Sequence, residues 1–293
     1  MSEPVQLSGW GEIESAKFDA LRLRGTVVTI GVFDGLHRGH QRLLAAAERL
    51  ARASGHSRLH VAFDPHPDLL LRGSLPPQLL DEIELVLRMA DAGVSHLLSL
   101  PFDVAMRETP WDRFIERLVE ASGARSLVLS PESALGRGRE GTLPRLRDWG
   151  GGHGLQVHPV AEARSGGTTI SSTRIRAAIA GGELAHAARM LGRPHALVGT
   201  LIGSTLQIDG GGGRYALPPA GRYRLRLGHA AHAKGRLPLV GRLTTGELDS
   251  TAGSIELPLR ALRGTLAGVG REGESFPEGG RLRAALLAGR SPA

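Results

Sequence analysis

The chain carries two histidines, three residues apart, in the segment GVFDGLHRGH at residues 31–40. The run before it, residues 26–30, is apolar and β-branched, which predicts a strand buried on both faces of a parallel sheet. The run after it, residues 41–50, has the composition of a helix. His37 and His40 are therefore expected near the first turn of that helix, where unpaired N–H groups and the helix dipole favour an anion. Two imidazoles there could stabilise the charge that builds on an α-phosphate under attack, so the segment predicts a triphosphate site.

Two other interpretations of this segment stay open. A histidine beside a glycine turn is often structural or simply exposed. The pair could also bind a metal ion. Separately, Asp34 and Asp64 could in principle hold a metal, but no spacing in the sequence fixes these two carboxylates as a pair. The chain has no cysteine, however, and no third ligand clusters near the two histidines. Phosphate binding accounts best for the whole His-x-Gly-His unit placed directly after a strand.

A second candidate element is FDPHP at residues 63–67, which follows a predicted strand. Its two prolines fix a rigid turn that holds Asp64 and His66 at the end of that strand. A rigid turn suits the wall of a ligand site. The alternative is that the prolines do no more than end the strand.

A third candidate element is ISSTRIR at residues 170–176, followed by a short helical run and two glycines. Ser171 or Ser172 is expected to cap this helix at its N-terminus, and glycine closes it. Capping alone would explain the serines. Thr173 and Arg174 add a hydroxyl and a guanidinium at the same N-terminus, and the combination predicts a phosphate clamp.

The segment GRGREG at residues 136–141 matches the glycine pattern of dinucleotide-binding loops. It does not stand directly between a strand and a helix, and Pro144 follows soon after. We therefore predict a mobile loop whose arginines, Arg137 among them, reach an anionic ligand.

Composition narrows the class of protein. The 293 residues are 41% apolar, enough for two folded domains, and the chain has no cysteine for disulfides or thiolate chemistry. The net charge is +7, yet only two residues are lysine and only 4% are aromatic, so nothing resembles a surface for nucleic acid. The first residues are polar and acidic, and no run is long enough to cross a membrane. We expect a cytoplasmic protein; the sequence identifies no protein partner.

Hydrophobic periodicity divides the chain into an α/β part and an all-β part. Alternating strands and helices predict a doubly wound parallel sheet, with strands near 26–32, 58–64, 95–100, 125–130 and 155–160 and helices near 39–54, 79–93, 110–122 and 173–180. Short β-like runs then predict a small barrel, at 196–202, 204–208, 222–227, 237–243, 254–259 and 262–266. The expected domains are 1–188, 189–270 and a weakly ordered tail at 271–293 with at most one short helix, around the apolar run 282–287.

Taken in order, TIGVFDGLHRGHQRLL, VAFDPHP, LPFDVAMRETPWDRFIERLV, GRGREG and ISSTRIRAAIAGGELAHAARMLGRP resemble the bacterial bifunctional FAD synthetases, which join an FMN adenylyltransferase to a riboflavin kinase. The resemblance covers residues 20–200. It implies a Rossmann-like nucleotidyltransferase domain followed by a β-barrel of riboflavin-kinase type. It also implies that the FMN phosphate attacks the α-phosphate of ATP, giving FAD and pyrophosphate, with Mg²⁺ carried mainly by the phosphates.

The resemblance assigns roles to particular residues of this chain. His37, His40 and Arg174 would be catalytic, and Asp64, His66 and Arg137 would lie at the acceptor. ATP would be bound by Gly31, Phe33 and Gly35 of the first motif and by Ser171, Ser172 and Thr173 of the third.

Two departures from the family pattern alter what is expected. Glu132-Ser133-Ala134-Leu135-Gly136 stands where the family has Asp-Phe-x-Phe-Gly, so two aromatics at the flavin are missing. The Pro-Thr-Ala-Asn unit of the kinase loop is absent, and Gly210–Gly213 reads only as flexible linkage. Glu256 either matches the kinase carboxylate or is an outward-facing strand residue. We therefore predict an FMN adenylyltransferase without kinase activity. One alternative is a nucleotidyltransferase that uses another acceptor or nucleotide. The other is a non-catalytic regulatory protein that binds flavin nucleotides.

Overall fold

The computed structural model describes residues 4–229, 242–257 and 281–290. The chain divides into two compact units, and neither is continuous in sequence. The first comprises Met1–Phe33, Gly39–Pro76 and Arg88–Arg164, and the second comprises Asp34–Arg38, Pro77–Leu87 and Ser165–Ala293.

The first unit is built on a six-stranded parallel sheet. Its strands are β1 (Val5–Ser8), β2 (Thr26–Ile30), β3 (Ser57–Phe63), β4 (His96–Leu100), β5 (Ala124–Leu129) and β8 (Gln156–Pro159), in the order β1-β4-β3-β2-β5-β8. After β2, the chain adds β3 and then β4 on one side of that strand, and it then returns to add β5 and β8 on the other side. A topological switch point therefore lies between β2 and β5. The predicted parallel sheet is confirmed, and β1 adds an edge strand that the sequence did not suggest.

Eleven helices are described in the chain, together with three short 3₁₀ turns at Ala16–Phe18, Asp34–Leu36 and Arg137–Arg139. The helices are α1 (Gly9–Ile13), α2 (Asp19–Arg24), α3 (Arg38–Ser54), α4 (Pro67–Arg72), α5 (Glu82–Asp91), α6 (Val104–Glu108), α7 (Trp111–Ser122), α8 (Leu143–His153), α9 (Ser172–Ala180), α10 (Leu184–Leu191) and α11 (Gly211–Arg214). All four predicted helices exist. No described helix has both the length and the apolar character that crossing a membrane requires.

Burial explains why these segments form the elements they do. All five residues of β2 are buried, as expected for a central strand covered on both faces. On α7, apolar side chains recur with helical spacing, and Ile115 and Leu118 enter the core of the first unit together with Leu59 and Leu98 of the sheet. This core holds the carboxyl ends of the strands in place.

The second unit contains a closed barrel of six strands in the order β11-β12-β15-β14-β13-β16. They are β11 (His195–Ile202), β12 (Thr205–Ile208), β13 (Gly221–His229), β14 (Arg242–Asp249), β15 (Ser254–Glu256) and β16 (Arg281–Arg290). Apolar side chains fill its interior, among them Leu197, Leu225 and Leu282. The predicted barrel is confirmed, whereas the predicted strand at 262–266 and all but the last two residues of the one at 237–243 lie outside the described residues.

The C-terminal segment is not the tail that the sequence suggested. Residues 281–290 form β16, which pairs with both β11 and β13 and so closes the barrel. The apolar run 282–287 is a strand and not a helix. Leucine and alanine favour helices locally, but pairing on both sides overrides that preference here.

Two further local predictions are corrected. Helix α10 falls in the second unit, because Leu184 packs into the barrel core, although the sequence placed the domain boundary at residue 188. The glycine run 210–213 was expected to be plain linkage, and part of it forms α11.

Candidate functional site

The segment 31–40 has the predicted strand, turn and helix arrangement. Strand β2 ends at Ile30, a 3₁₀ turn covers Asp34–Leu36, and α3 begins at Arg38. Since β2 borders the switch point of the sheet, this segment, which we call the nucleotide loop, leaves the sheet where ligands of such folds bind.

In the first unit, the ring of His40 is held by a stack of aromatic groups. It lies parallel to the Phe33 ring, with centroids 4.4 Å apart and an interplanar angle of 11°. The other neighbour of Phe33 is the ring of His60, 4.1 Å away. His60 is buried, and its Nδ1 shares a hydrogen bond of 2.9 Å with the Thr29 hydroxyl. Burial lowers the pKa of His60 to about 3, so this support is an uncharged imidazole at neutral pH.

His37 is also buried, with 6% of its surface exposed. Burial, with a smaller contribution from the positive charge of Arg193, lowers its pKa to about 4. The imidazole is therefore neutral at pH 7 and can donate one N–H to a phosphate oxygen without carrying a charge of its own.

Gly35 occupies a position that only glycine fits easily. Its φ is +75°, and a Cβ there would lie 2.9 Å from the Cβ of Leu79. Its carbonyl accepts a hydrogen bond of 2.8 Å from Arg193 Nη2. Close packing against Leu79 and the hydrogen bond to the Gly35 carbonyl thus both fix this turn, two residues before His37.

Asp34 does not stand ready as a metal ligand. Its carboxylate forms an ion pair with Arg176, and the same carboxylate accepts a hydrogen bond of 3.1 Å from the Leu79 N–H. The backbone carbonyl of Asp34 accepts a further bond of 3.1 Å from the Ser172 hydroxyl. Asp34 therefore anchors the nucleotide loop to α9 within the second unit.

Helix α9 begins as its sequence predicts. The Ser171 hydroxyl accepts a bond of 3.3 Å from the Arg174 N–H and caps the helix, while Gly181 follows its last turn. Thr173 is exposed. The guanidinium of Arg174 donates to the backbone carbonyls of Ser165, Thr168 and Thr169 and so stabilises the segment that precedes the helix.

The first unit contains a cavity of about 560 Å³ walled by aromatic and basic side chains. Phe63 lies in its wall with its ring edge-on to Phe102, at a centroid separation of 5.5 Å. Phe114 and Leu135 add apolar surface, and Arg137 lies at the exposed side. A flat apolar ligand that carries an anionic group matches this lining.

Two of the three glycines of residues 136–141 allow close packing against Trp111. A Cβ on Gly136 would lie 2.4 Å from Trp111 Cα, and one on Gly141 would lie 2.6 Å from Trp111 Cβ. The loop is bounded by a two-stranded ribbon, β6 (Ala134–Leu135) with β7 (Gly141–Thr142). Pro144 stands in the first turn of α8, which corrects the expectation that it marks a loop.

Asp64 and His66 follow β3, as predicted. Asp64 is exposed, and its backbone N–H donates to the Leu100 carbonyl at 2.9 Å. His66 caps α4 by accepting a bond of 3.1 Å at Nδ1 from the Asp68 N–H. The neighbouring Phe63 brings this turn to the edge of the cavity.

Sequence reasoning left three side chains of this region without a role. Arg176 and Arg193 stand in motifs that carried the family resemblance, so their positions were visible but their partners were not. His60 stands between the apolar, buried Leu59 and Val61 on β3, which made it look like an ordinary strand position. Within the described residues, no group of three or more His, Asp or Glu side chains could hold a metal ion.

The fold is the nucleotidyltransferase-type α/β unit joined to a β-barrel. The sequence model of the FAD synthetase family matches residues 20–174, and the chain belongs to that family. The FAD synthetase of Listeria monocytogenes is 31% identical over 212 residues, which are 70% of this chain and 82% of that protein.

Two further relatives differ in how much of each chain they cover. The bifunctional riboflavin kinase/FMN adenylyltransferase of Escherichia coli K12 is 33% identical over 180 residues, which are 61% of this chain but only 58% of that protein's length. A crystal structure described as a macrolide-efflux protein from Streptococcus pneumoniae superposes with a TM-score of 0.78, covering 100% of this chain and 92% of that one. At 20% identity, this second likeness shows the fold alone.

Proposed function

We propose that the protein is an FMN adenylyltransferase that lacks riboflavin kinase activity. An oxygen of the FMN phosphate attacks the α-phosphorus of ATP, and a new P–O bond forms there. The bond from the α-phosphorus to the bridging oxygen breaks, and pyrophosphate leaves. The products are FAD and pyrophosphate, and no covalent enzyme intermediate is formed.

The observation that carries this proposal is the neutral, buried imidazole of His37 beside the tight turn at Gly35. An N–H donor fixed in a water-poor place stabilises charge that develops on a phosphate more strongly than the same group in water. His40, held against Phe33, supplies a second imidazole on the first turn of α3. Catalysis is then mainly orientation and electrostatic stabilisation.

The cavity of the first unit supports flavin as the acceptor. Phe63, Phe102 and Phe114 offer apolar and aromatic surface for an isoalloxazine ring, and Arg137 offers a cation for the phosphate. Asp64 and His66 lie on the turn that follows Phe63. In this proposal magnesium enters as part of the substrate, MgATP, carried mainly by the phosphates.

The absence of kinase activity rests on the barrel. Residues 201–218 lack the Pro-Thr-Ala-Asn unit that would bind nucleotide and metal. Glu256 is exposed on β15 and accepts hydrogen bonds from the hydroxyls of Ser204 and Thr205, which matches an outward-facing strand residue. The barrel interior is filled by apolar side chains.

The direct test is incubation with MgATP and FMN, followed by chromatography of flavins and a pyrophosphate assay. FAD and pyrophosphate are expected in equal amounts. A parallel incubation with MgATP and riboflavin is expected to give no FMN. No FAD above a protein-free blank would contradict the transferase proposal, and FMN formed from riboflavin would contradict the loss of kinase activity.

A second candidate keeps the transferase chemistry with a different acceptor, and Leu135 favours it. This side chain lines the cavity at a position where the family has an aromatic residue. A panel of phosphorylated acceptors and several nucleoside triphosphates separates the two candidates. A regulatory protein that binds flavin nucleotides would instead bind ATP and FMN tightly and release no pyrophosphate.

If FMN is the acceptor, Leu135→Phe is expected to lower the KM for FMN about two- to tenfold, because one aromatic contact contributes roughly 0.5–1.5 kcal/mol. Leu135→Ala is the matched control and is expected to raise that KM. Steady-state kinetics at saturating MgATP would measure both. A Phe variant that binds FMN more weakly, with an unchanged KM for ATP, would contradict this placement of the isoalloxazine ring.

A further inference from the structure

Three charged side chains form a buried cluster in the second unit, which we call the buried ion cluster: Glu84, Arg193 and Arg283. Glu84 is only 3% exposed. Arg283 on β16 donates two hydrogen bonds to the Glu84 carboxylate, 2.7 Å from Nε to Oε2 and 3.0 Å from Nη2 to Oε1. Arg193 approaches the same carboxylate, with 3.8 Å between its Nε and Oε1.

The buried ion cluster reaches the nucleotide loop through Arg193. The Nη2 of this arginine donates the bond of 2.8 Å to the Gly35 carbonyl, while its Nε faces Glu84. One guanidinium therefore connects the carboxylate held by Arg283 to the turn that precedes His37. The donors of a planar guanidinium are fixed relative to one another, so the orientation of Arg193 toward Glu84 also determines where its Nη2 meets the Gly35 carbonyl.

A second set of contacts joins the barrel to the same loop through the segment 77–87. The Asp81 carboxylate accepts from the N–H groups of Ile83 and Glu84 and from the Tyr215 hydroxyl. At its start, the Pro77 carbonyl accepts a bond of 2.7 Å from Arg176, the ion-pair partner of Asp34. The barrel and the nucleotide loop thus share neighbours on both sides of Glu84.

We propose that Arg283 is a positioning residue for ATP, and that the barrel retains this role in place of kinase activity. Arg283 orients Glu84, Glu84 orients Arg193, and Arg193 fixes the carbonyl of Gly35 and with it the turn before His37. The assignment of ATP as ligand rests on the proposed function.

Stability alone does not account for the cluster. A buried ion pair adds little net stability compared with apolar side chains of similar size, because both charges lose their hydration. Removing one partner is costly only because the other charge stays behind. Positioning and stability can therefore be separated by removing one charge or both.

The experiment compares Arg283→Met, Arg283→Lys and the double variant Glu84→Gln/Arg283→Met in the full chain. Arg226→Met is the matched control, since Arg226 is an exposed arginine of the same barrel. Calorimetry measures the Kd for MgATP without FMN, thermal denaturation measures Tm, and steady-state kinetics measure kcat and both KM values.

Arg283→Met is expected to raise the Kd for MgATP about tenfold or more and to lower Tm, since small misplacements of a binding loop are costly. Arg283→Lys keeps the positive charge but replaces the two-donor edge of the guanidinium with a single ammonium group. It is expected to recover part of the affinity for MgATP. The double variant also leaves the charge of Arg193 without its carboxylate, so it is expected to lower Tm further than Arg283→Met does. Its affinity for MgATP is expected to be as weak as that of Arg283→Met, because Arg193 is already misoriented in the single variant. The KM for FMN and the behaviour of Arg226→Met are expected to match the parent protein.

A Kd for MgATP that rises from Arg283→Met to the double variant in step with the fall in Tm would show a purely structural role and overturn the proposal, as would an unchanged Kd in Arg283→Met. A parent protein that binds MgATP but makes no FAD would contradict only the proposed function, because the Kd values still test the positioning role. A parent protein that binds no MgATP would overturn both.

Discussion

Replacing His37 with alanine is expected to lower kcat/KM for MgATP by about 10²- to 10³-fold, the usual effect of losing one preorganised donor to a developing negative charge. The effect should fall mainly on kcat, because the bond strengthens as the transition state forms. The fold should survive, since His37 stands in a turn held independently by Gly35 and by the ion pair of Asp34 with Arg176. Pre-steady-state and steady-state FAD formation would measure the loss.

His37→Asn is the sharper comparison, because an amide keeps an N–H donor and cannot take up a proton. It is expected to retain more activity than the alanine variant. The exposed His153, replaced by alanine, controls for the loss of an imidazole elsewhere in the chain. Equal activity of His37→Ala and the parent protein, with both folded, would remove His37 from the reaction.

Lowering the pH from 7 to 5 is expected to reduce the free energy of unfolding by roughly 2 kcal/mol for each of three buried histidines. These are His37 and His195, whose pKa values are lowered to about 4, and His60, whose pKa is lowered to about 3, in each case chiefly by burial. Unfolded histidine titrates near 6.5, so between these values the unfolded chain binds more protons than the folded one. Stability therefore rises with pH through this window.

Denaturant unfolding at a series of pH values would measure this slope. His60→Asn keeps a hydrogen-bonding partner for Thr29 but does not titrate, so the slope between pH 7 and 5 is expected to fall by about a third. Because ordinary domains are stable by only about 5–15 kcal/mol, the parent protein is expected to approach acid unfolding near pH 5. A flat profile over this range would show that these imidazoles gain protons without unfolding.

Hydrophobic periodicity predicted the α/β sheet well because its strands are short, apolar and separated by amphipathic helices. The edge strand β1, with one buried residue among four, carried little of that pattern. Strand β16 was missed for a different reason. Its leucines and alanines favour a helix, and only the open edges of β11 and β13, distant in sequence, make it a strand.

At the site, the motifs identified which residues matter but not what they touch. The capping serine at 171 follows from local rules, and the structure agrees. The roles of Arg176 and Arg193 depend on carbonyls and carboxylates brought close by the tertiary fold, which no spacing in the sequence encodes. Arg174 illustrates the same limit, because its guanidinium donates to three backbone carbonyls whose closeness the sequence does not reveal.

The interleaving of the two units in the chain has a consequence for synthesis on the ribosome. Glu84 and its partner on β16 are 199 residues apart, and Gly35 is 158 residues from Arg193. The chain emerges from its N-terminal end, so the nucleotide loop is made well before Arg193 and β16, which support it. An incompletely translated chain therefore contains the whole histidine motif but not the strand that orients it.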